Sequence, residues 1–332
     1  MQKLLIFLCI SLIQTPTKIY AATNIKVDGS STVFPITEAV AEEFQTHKKG
    51  EVRVTVGISG TGGGFKKFCR GEIDVQDASR PISKSEMKSC RQTNIKYFEL
   101  PVAYDAITVA VSTKNNALKD ISIEDLKKIW APEAQGKITK WNQVNAKWPD
   151  AEIKLYGAGS DSGTFDYFTE AVVGKAKASR GDYTASEDDN TIVQGISSDK
   201  NSLGYLPFSY YLENKRKLKA LGIIGGEKAP KKGAVLPTEA TVKNGTYYPL
   251  SRPIFIYVAE AAAKRPEIKE FIEFYLKNAT QLVKQVKYVP LPQKAYTMGL
   301  DHFKKGKLGT AFNGEAEVGL KIEELLKREA KL

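Results

Sequence analysis

The chain has 332 residues, 26% of them charged and 42% hydrophobic, with 49 basic against 38 acidic side chains and a net charge of +11. That length exceeds what one hydrophobic core usually holds, so two domains or lobes are expected. Two histidines and three cysteines leave no compact metal-ligand cluster. The lysines are scattered, with modest clusters at Asn214–Lys219 and Lys228–Lys232, rather than gathered in an arginine-rich stripe with interleaved aromatics, which argues against nucleic acid.

The chain opens with Lys3, an apolar run from Leu4 to Ile13, then Pro16 and "IYAAT". This reads as a secretory signal peptide over residues 1–22, cleaved after Ala21 or Ala22. The apolar run is about ten residues, where roughly twenty are needed to cross a bilayer. An exported protein in the periplasm is expected, with a mature net charge of +9 once Lys3 and Lys18 are removed. Such a charge suits steering of a small anion as well as an anionic surface. The mature chain keeps Cys69 and Cys90, which in an oxidising compartment reads as a disulfide, two buried thiols being the alternative.

Short β-type runs then alternate with helical periods: "NIKVDG", "FPITEAVAEEFQTH", "EVRVTVGIS", "GGFKKFCRGE", "IDVQDAS". The alternation predicts an α/β fold with a largely parallel sheet. In the first helix Ile36, Val40 and Phe44 recur on one face, with Glu38, Glu42 and Glu43 on the other. Two long apolar runs, Tyr97–Ser112 and Tyr247–Glu260, are placed as crossover strands between lobes. Lobe I is then 23–103 with 250–332, and lobe II is 104–249, hinged around a cleft. The tail from Gly314 reads as a terminal helix with Val318, Ile322 and Leu325 on one face.

Three segments share one design. "DGSSTVFPI" (Asp28–Ile36), "SGTGGGFKKF" (Ser59–Phe68) and "GSDSGTFDYF" (Gly159–Phe168) each set glycines and hydroxyls directly before a helix. A helix N-terminus has unpaired N–H groups and a positive dipole end, so it suits an anion. One such segment is as well explained by an ordinary Ser or Thr cap; three in one chain point to a ligand. Catalysis lacks its parts. Neither Ser160 nor Ser162 sits in a nucleophile elbow, no P-loop lysine follows a glycine run, and His47 and His302 are expected on the surface. The hydroxyls are read as holding a ligand rather than attacking one.

"DGSSTVFPI", "SGTGGGFKKFCRGEIDVQDASRPIS", "SDSGTFDYF" and "NSLGYLPFSYY" together resemble the phosphate-binding proteins of bacterial ABC phosphate importers, in that family's order and spacing. The form of "GSDSGTFDYFTEAVVGK" is similar to cyanobacterial-type members. The resemblance implies a two-lobed periplasmic-binding-protein fold closing on one orthophosphate, with delivery to a membrane ABC permease, no cofactor, and a monomer. It places Ser31 and Thr32, with Ser30 beside them, on the ligand. Ser59 and Thr61 with Gly62 form the second loop, Ser79 takes a position held by Asp in some members, and Ser162, Gly163 and Thr164 form the second-lobe cradle. Many members carry an arginine four residues before that cradle serine; here the position is Ala158, and Arg80 is the candidate replacement, with an interlobe salt bridge as its alternative role. A carboxylate that accepts the proton of phosphate would reject sulfate. Asp161 and Asp77 are the candidates, with Asp28 and Asp166 behind them. The competing readings are another tetrahedral oxyanion, such as sulfate or molybdate, and a phosphate-ester hydrolase with a Ser or Thr nucleophile.

Overall fold

The computed structural model describes residues 23–332; the expected signal peptide lies outside the described residues. The chain begins β1 (Thr23–Gly29), α1 (Phe34–His47), β2 (Val52–Val56), α2 (Gly60–Phe68), β3 (Val75–Ala78) and α3 (Lys84–Gln92). β1 pairs in parallel with both β2 and β3, so the N-termini of α1 and α2 open on the same sheet edge. α1 buries Ile36, Val40 and Phe44 as the four-residue spacing predicts. Cys69, just past α2, is disulfide-bonded to Cys90 in α3.

The long strand β4 (Tyr97–Ser112) follows, then β5 (Asp120–Ser122), α4 (Ile123–Trp130), β6 (Lys154–Ala158), α5 (Gly163–Val173), β7 (Thr184–Ser186) and α6 (Asp189–Ser198). After them come β8 (Ser202–Pro207), α7 (Phe208–Glu213), β9 (Leu218–Ala220), β10 (Gly222–Ile224), β11 (Ala234–Val235) and α8 (Glu239–Lys243). The chain returns as β12 (Ser251–Ala259) and closes with α9 (Pro266–Gln285), α10 (Gln293–Lys305) and α11 (Ile322–Glu329).

β4 belongs to both lobes. Its first part, Tyr97–Ala106, pairs with β12, and from Ile107 onward it pairs with β8 and β9. All sixteen of its residues are buried, which explains an apolar run too long for an ordinary strand. One path therefore orders the main sheet β2-β1-β3-β12-β4-β8-β6-β7, with β4 exchanging β12 for β8 after Ala106. Each lobe has a parallel trio, β2-β1-β3 and β8-β6-β7, but β12 is antiparallel to β3 and β4. A strand that carries the chain out of a lobe and one that brings it back must run in opposite directions, so the sheet is mixed rather than largely parallel.

The segment after α10 adds a third crossing to the two expected. Gly309 N–H donates to Tyr97 O and Ala311 N–H to Glu99 Oε1 in lobe I. Ten residues later Tyr104 donates to Leu320 O and Gly319 N–H donates to Tyr167 Oη of α5, both at 2.8 Å. The predicted tail helix is shorter than expected and omits Val318, because Gly314 and Gly319 take positive φ (82° and 73°) and break it.

Candidate anion-binding cleft

Three helix N-termini meet between the lobes: α1 and α2 from lobe I, α5 from lobe II. Gly29, at φ 138°, lets the chain turn from β1 toward α1. A side chain there would stand 2.3 Å from Asp77 O, so only glycine fits this close approach. α5 starts at its cap residue Ser162, whose Oγ accepts from Thr164 N–H at 3.1 Å.

The hydroxyls of the two lobes touch. Thr32 Oγ1 of lobe I and Thr164 Oγ1 of lobe II lie 3.0 Å apart, while within lobe I Thr61 Oγ1 and Ser79 Oγ lie 3.1 Å apart. Gly163 bridges the groups: a Cβ on it would fall 2.6 Å from both Ser79 Oγ and Thr61 Oγ1. Ser31, Thr32, Thr61, Ser79, Ser162 and Thr164 are all buried. One cation completes the cluster. Arg252 of β12 donates from Nη2 to Thr164 Oγ1 at 2.7 Å and to Thr32 Oγ1 at 3.5 Å, and from Nη1 to Gly163 O at 3.0 Å. Asp105 of β4 holds the guanidinium in place, 3.0 Å from Nη2 and 3.3 Å from Nε, and the Tyr167 ring lies under it.

Sequence reasoning missed both Arg252 and Asp105. A signal existed: each interrupts one of the two apolar crossover runs, and a charge inside such a strand is costly unless it is paired. Burial pushes the Asp105 carboxyl up from its ordinary range, and Arg252 pulls it back. A second buried acid, Asp189 at the start of α6, was also missed; burial raises it to about 7 against the opposing effect of the Ser31 hydroxyl.

Other expected residues lie elsewhere. Ser59 turns away to Asp28 Oδ1 (2.6 Å), which is also paired with Lys67. Asp161 sits at the rim, where its carboxylate meets Lys66 at 2.9 Å and its carbonyl accepts from Gly62 N–H at 2.8 Å. Asp77 directs its carboxylate into lobe I, accepting from Thr37 at 2.9 Å. Ser30 Oγ accepts from Thr32 N–H. Arg80 is taken up by carboxylates: both terminal nitrogens engage Glu86 and its Nε reaches Asp166 of α5 at 2.7 Å. Burial opposes the Arg80 charge, but Glu86 and Asp166 outweigh it and hold the pKa up. Ala158 is buried in β6. His47 is exposed as expected, whereas His302 is buried on α10, with Nδ1 unpartnered. It faces inward because Phe303 and Tyr296 of the same helix are core residues, and it stands far along the chain from every hydroxyl of the cleft.

The arrangement can hold a compact polyoxyanion: hydroxyls and backbone N–H groups from both lobes, and one rigid guanidinium. The chain matches the PBP superfamily domain over residues 16–279. It is 53% identical to protein SphX of Synechococcus elongatus over 305 residues, covering 92% of this chain and 88% of that one. It is 38% identical to the phosphate-binding protein PstS of Staphylococcus aureus (strain USA300) over 283 residues, 84% of this chain and 82% of that one. A putative phosphate ABC transporter substrate-binding protein from Clostridium perfringens, solved with bound phosphate, superposes with a TM-score of 0.66 at 28% identity, covering 81% of this chain and all of that one. By sequence and by fold, this chain belongs to the PBP superfamily, in the group that includes SphX and the PstS phosphate-binding proteins.

Proposed function

We propose that this protein captures inorganic phosphate outside the cytoplasm by closing its two lobes over the ion, and hands it to a membrane ABC permease. The observation that carries the reading is Arg252. It is a buried guanidinium fixed by Asp105 and aimed at hydroxyls that come from opposite lobes. Support also comes from the relatives, whose names and bound ligand are those of phosphate-binding proteins. Arg252 supplies the positive charge that Ala158 does not, and Arg80 serves closure, pairing with Asp166 as the lobes meet. We place the lobe boundary in β4 at Ala106–Ile107, where the strand changes partners.

No bond is made or broken. The hydroxyls are bonded to one another and to Arg252 rather than to a histidine base, which supports binding over ester hydrolysis. A micromolar dissociation constant needs only about 8 kcal/mol, within reach of several charge-assisted hydrogen bonds formed out of water. A soluble monomer that does not bind nucleic acid fits this role. The test is calorimetric titration of the mature protein, stripped of anion, with phosphate and then sulfate. Tight 1:1 phosphate binding is expected; silence with phosphate, or equal affinity for sulfate at pH 8, would sink the reading.

A further inference from the structure

A second concavity, of about 560 Å³, has none of the cleft hydroxyls in its walls. Phe208, Tyr211 and Leu236 line it from the lobe II part of the chain, and Lys284, Lys287 and Tyr288 from the lobe I part. That volume suits a small molecule, whose sites are mostly apolar with a few placed polar groups. On α7 Phe208 and Tyr211 stand three residues apart and so share a face, their ring centres 6.3 Å apart. Leu236 is 53% exposed, and Ile58 is the only other large hydrophobic left uncovered in this way among the described residues.

The charge of the groove is one-sided. The one acid in its wall, Glu239, pairs with Lys243, and Lys287 pairs with Glu213 at 2.6 Å. Lys284 and Lys215, which also lines the groove, are exposed and join no ion pair among the described residues. Lys215 stands over the Tyr211 ring, 5.8 Å from its centre. Two free ammonium groups beside aromatic and aliphatic walls complement a ligand with an apolar body and an anionic end.

The groove is also tied to the hinge. Val289, in its wall, exchanges both backbone hydrogen bonds with Tyr104, at 2.8 and 3.2 Å, two residues before the point where β4 changes partners. Tyr288 beside it is buried with an unpartnered hydroxyl, whose pKa burial raises and Asp105 raises further. Asp105 is the carboxylate that fixes Arg252. One side chain thus borders both the groove and the hinge ion pair.

We propose that this groove is a second ligand site, for a small amphipathic anion with an aromatic or aliphatic body and a carboxylate, sulfonate or phosphate end. The rings and Leu236 cover the body; Lys215 and Lys284 hold the charge. Because the walls come from both lobes, an occupant that fits one lobe arrangement better shifts closure, and phosphate affinity with it. That linkage rests on the phosphate-binding reading above; the site itself does not.

Anilinonaphthalene sulfonate has this chemistry and fluoresces when removed from water, so it is the probe, titrated into the mature protein with and without saturating phosphate. One equivalent is expected to bind. Lys215→Glu combined with Lys284→Glu should weaken it by roughly tenfold or more, and Leu236→Asp by a similar factor. These exposed positions lie outside the phosphate cleft, so the variants should melt and bind phosphate as the wild type does. Phenylnaphthylamine, the same rings without the sulfonate, should be indifferent to the lysine changes. Phosphate should alter probe affinity about fivefold or more, and the probe should alter phosphate affinity by the same factor. Probe binding that survives both variants, or a wild type that takes up no probe, overturns the site. Equal probe affinity with and without phosphate overturns the linkage. A wild type that binds the probe here but no phosphate sinks the reading above, and the linkage with it, while the site stands.

Discussion

Arg252 and Asp105 form an ion pair that is almost wholly removed from water, 3.0 Å from Nη2 to Oδ2, beside the residue at which β4 passes from one lobe to the other. The pair joins the two hinge strands and presents the remaining guanidinium face to Thr32 and Thr164. The proposed hinge and the proposed anion site are thus one piece of structure.

Removing one member of that pair should be costly twice over. Arg252→Ala leaves the Asp105 carboxylate buried without its partner, for which about 3–5 kcal/mol of stability is expected to be lost. Arg252→Lys separates the effects. It keeps the charge but not the planar fork, so melting should fall less while phosphate affinity drops by roughly tenfold or more. Calorimetry and thermal unfolding on the two variants check this; an Arg252→Lys protein with wild-type affinity would remove Arg252 from the ligand.

Gly163 should report on closure with little effect on folding. Its helical φ suits any residue, but an added methyl would stand 2.6 Å from Ser79 Oγ and Thr61 Oγ1 across the cleft. Gly163→Ala is expected to prop the lobes apart, weakening phosphate by about a hundredfold while the ligand-free melting temperature stays near wild type. Unchanged affinity would mean that the lobes do not approach this closely when ligand is bound.

The Arg80–Asp166 contact, at 2.7 Å, spans the lobes, whereas Arg80–Glu86 lies within lobe I. Opening therefore breaks only the first. Asp166→Asn should speed phosphate release by roughly tenfold and leave capture unaltered, since truncating a buried pair acts on dissociation. Stopped-flow traces that show slowed capture and unchanged release would contradict a closure role.

The third crossing carries a pH dependence of its own. Glu99 accepts from Tyr257, Thr310 and Ala311 N–H. Burial raises it to about 7 against these three bonds, and burial followed by Glu99 raises Glu329 of α11. A carboxyl raised in the folded state holds a proton that the unfolded chain releases from its ordinary value upward. Stability should accordingly fall as pH rises from about 4.5 to about 7, and level off above that. Melting of the ligand-free protein should drop by several degrees between pH 5 and pH 8, and by less in Glu99→Gln. Equal slopes in the two proteins would place the dependence elsewhere.

Much of this protein was legible in one dimension because its signals are local. The period of Ile36, Val40 and Phe44 sets which face of α1 is buried, and three helix starts that each carry glycines and hydroxyls are legible as candidate anion turns. The order of strand and helix, and two apolar runs too long for one lobe, were enough for a hinged α/β architecture. Local chemistry could not say which turns would face one another. Ser59 and Thr61 stand two residues apart, yet only Thr61 meets Ser79, because Ser59 precedes the first residue of α2 and donates its hydroxyl to Asp28. Arg252 and Asp105 are 147 residues apart, and only the pairing of β12 with β4 sets them side by side. Asp189 reads as a helix-start acid until closure brings Ser31 from the other lobe against it. Propensity, capping and periodicity act within a few residues and are written in the sequence; which buried charges share a cavity is decided by strand register and lobe closure, and that required the tertiary structure.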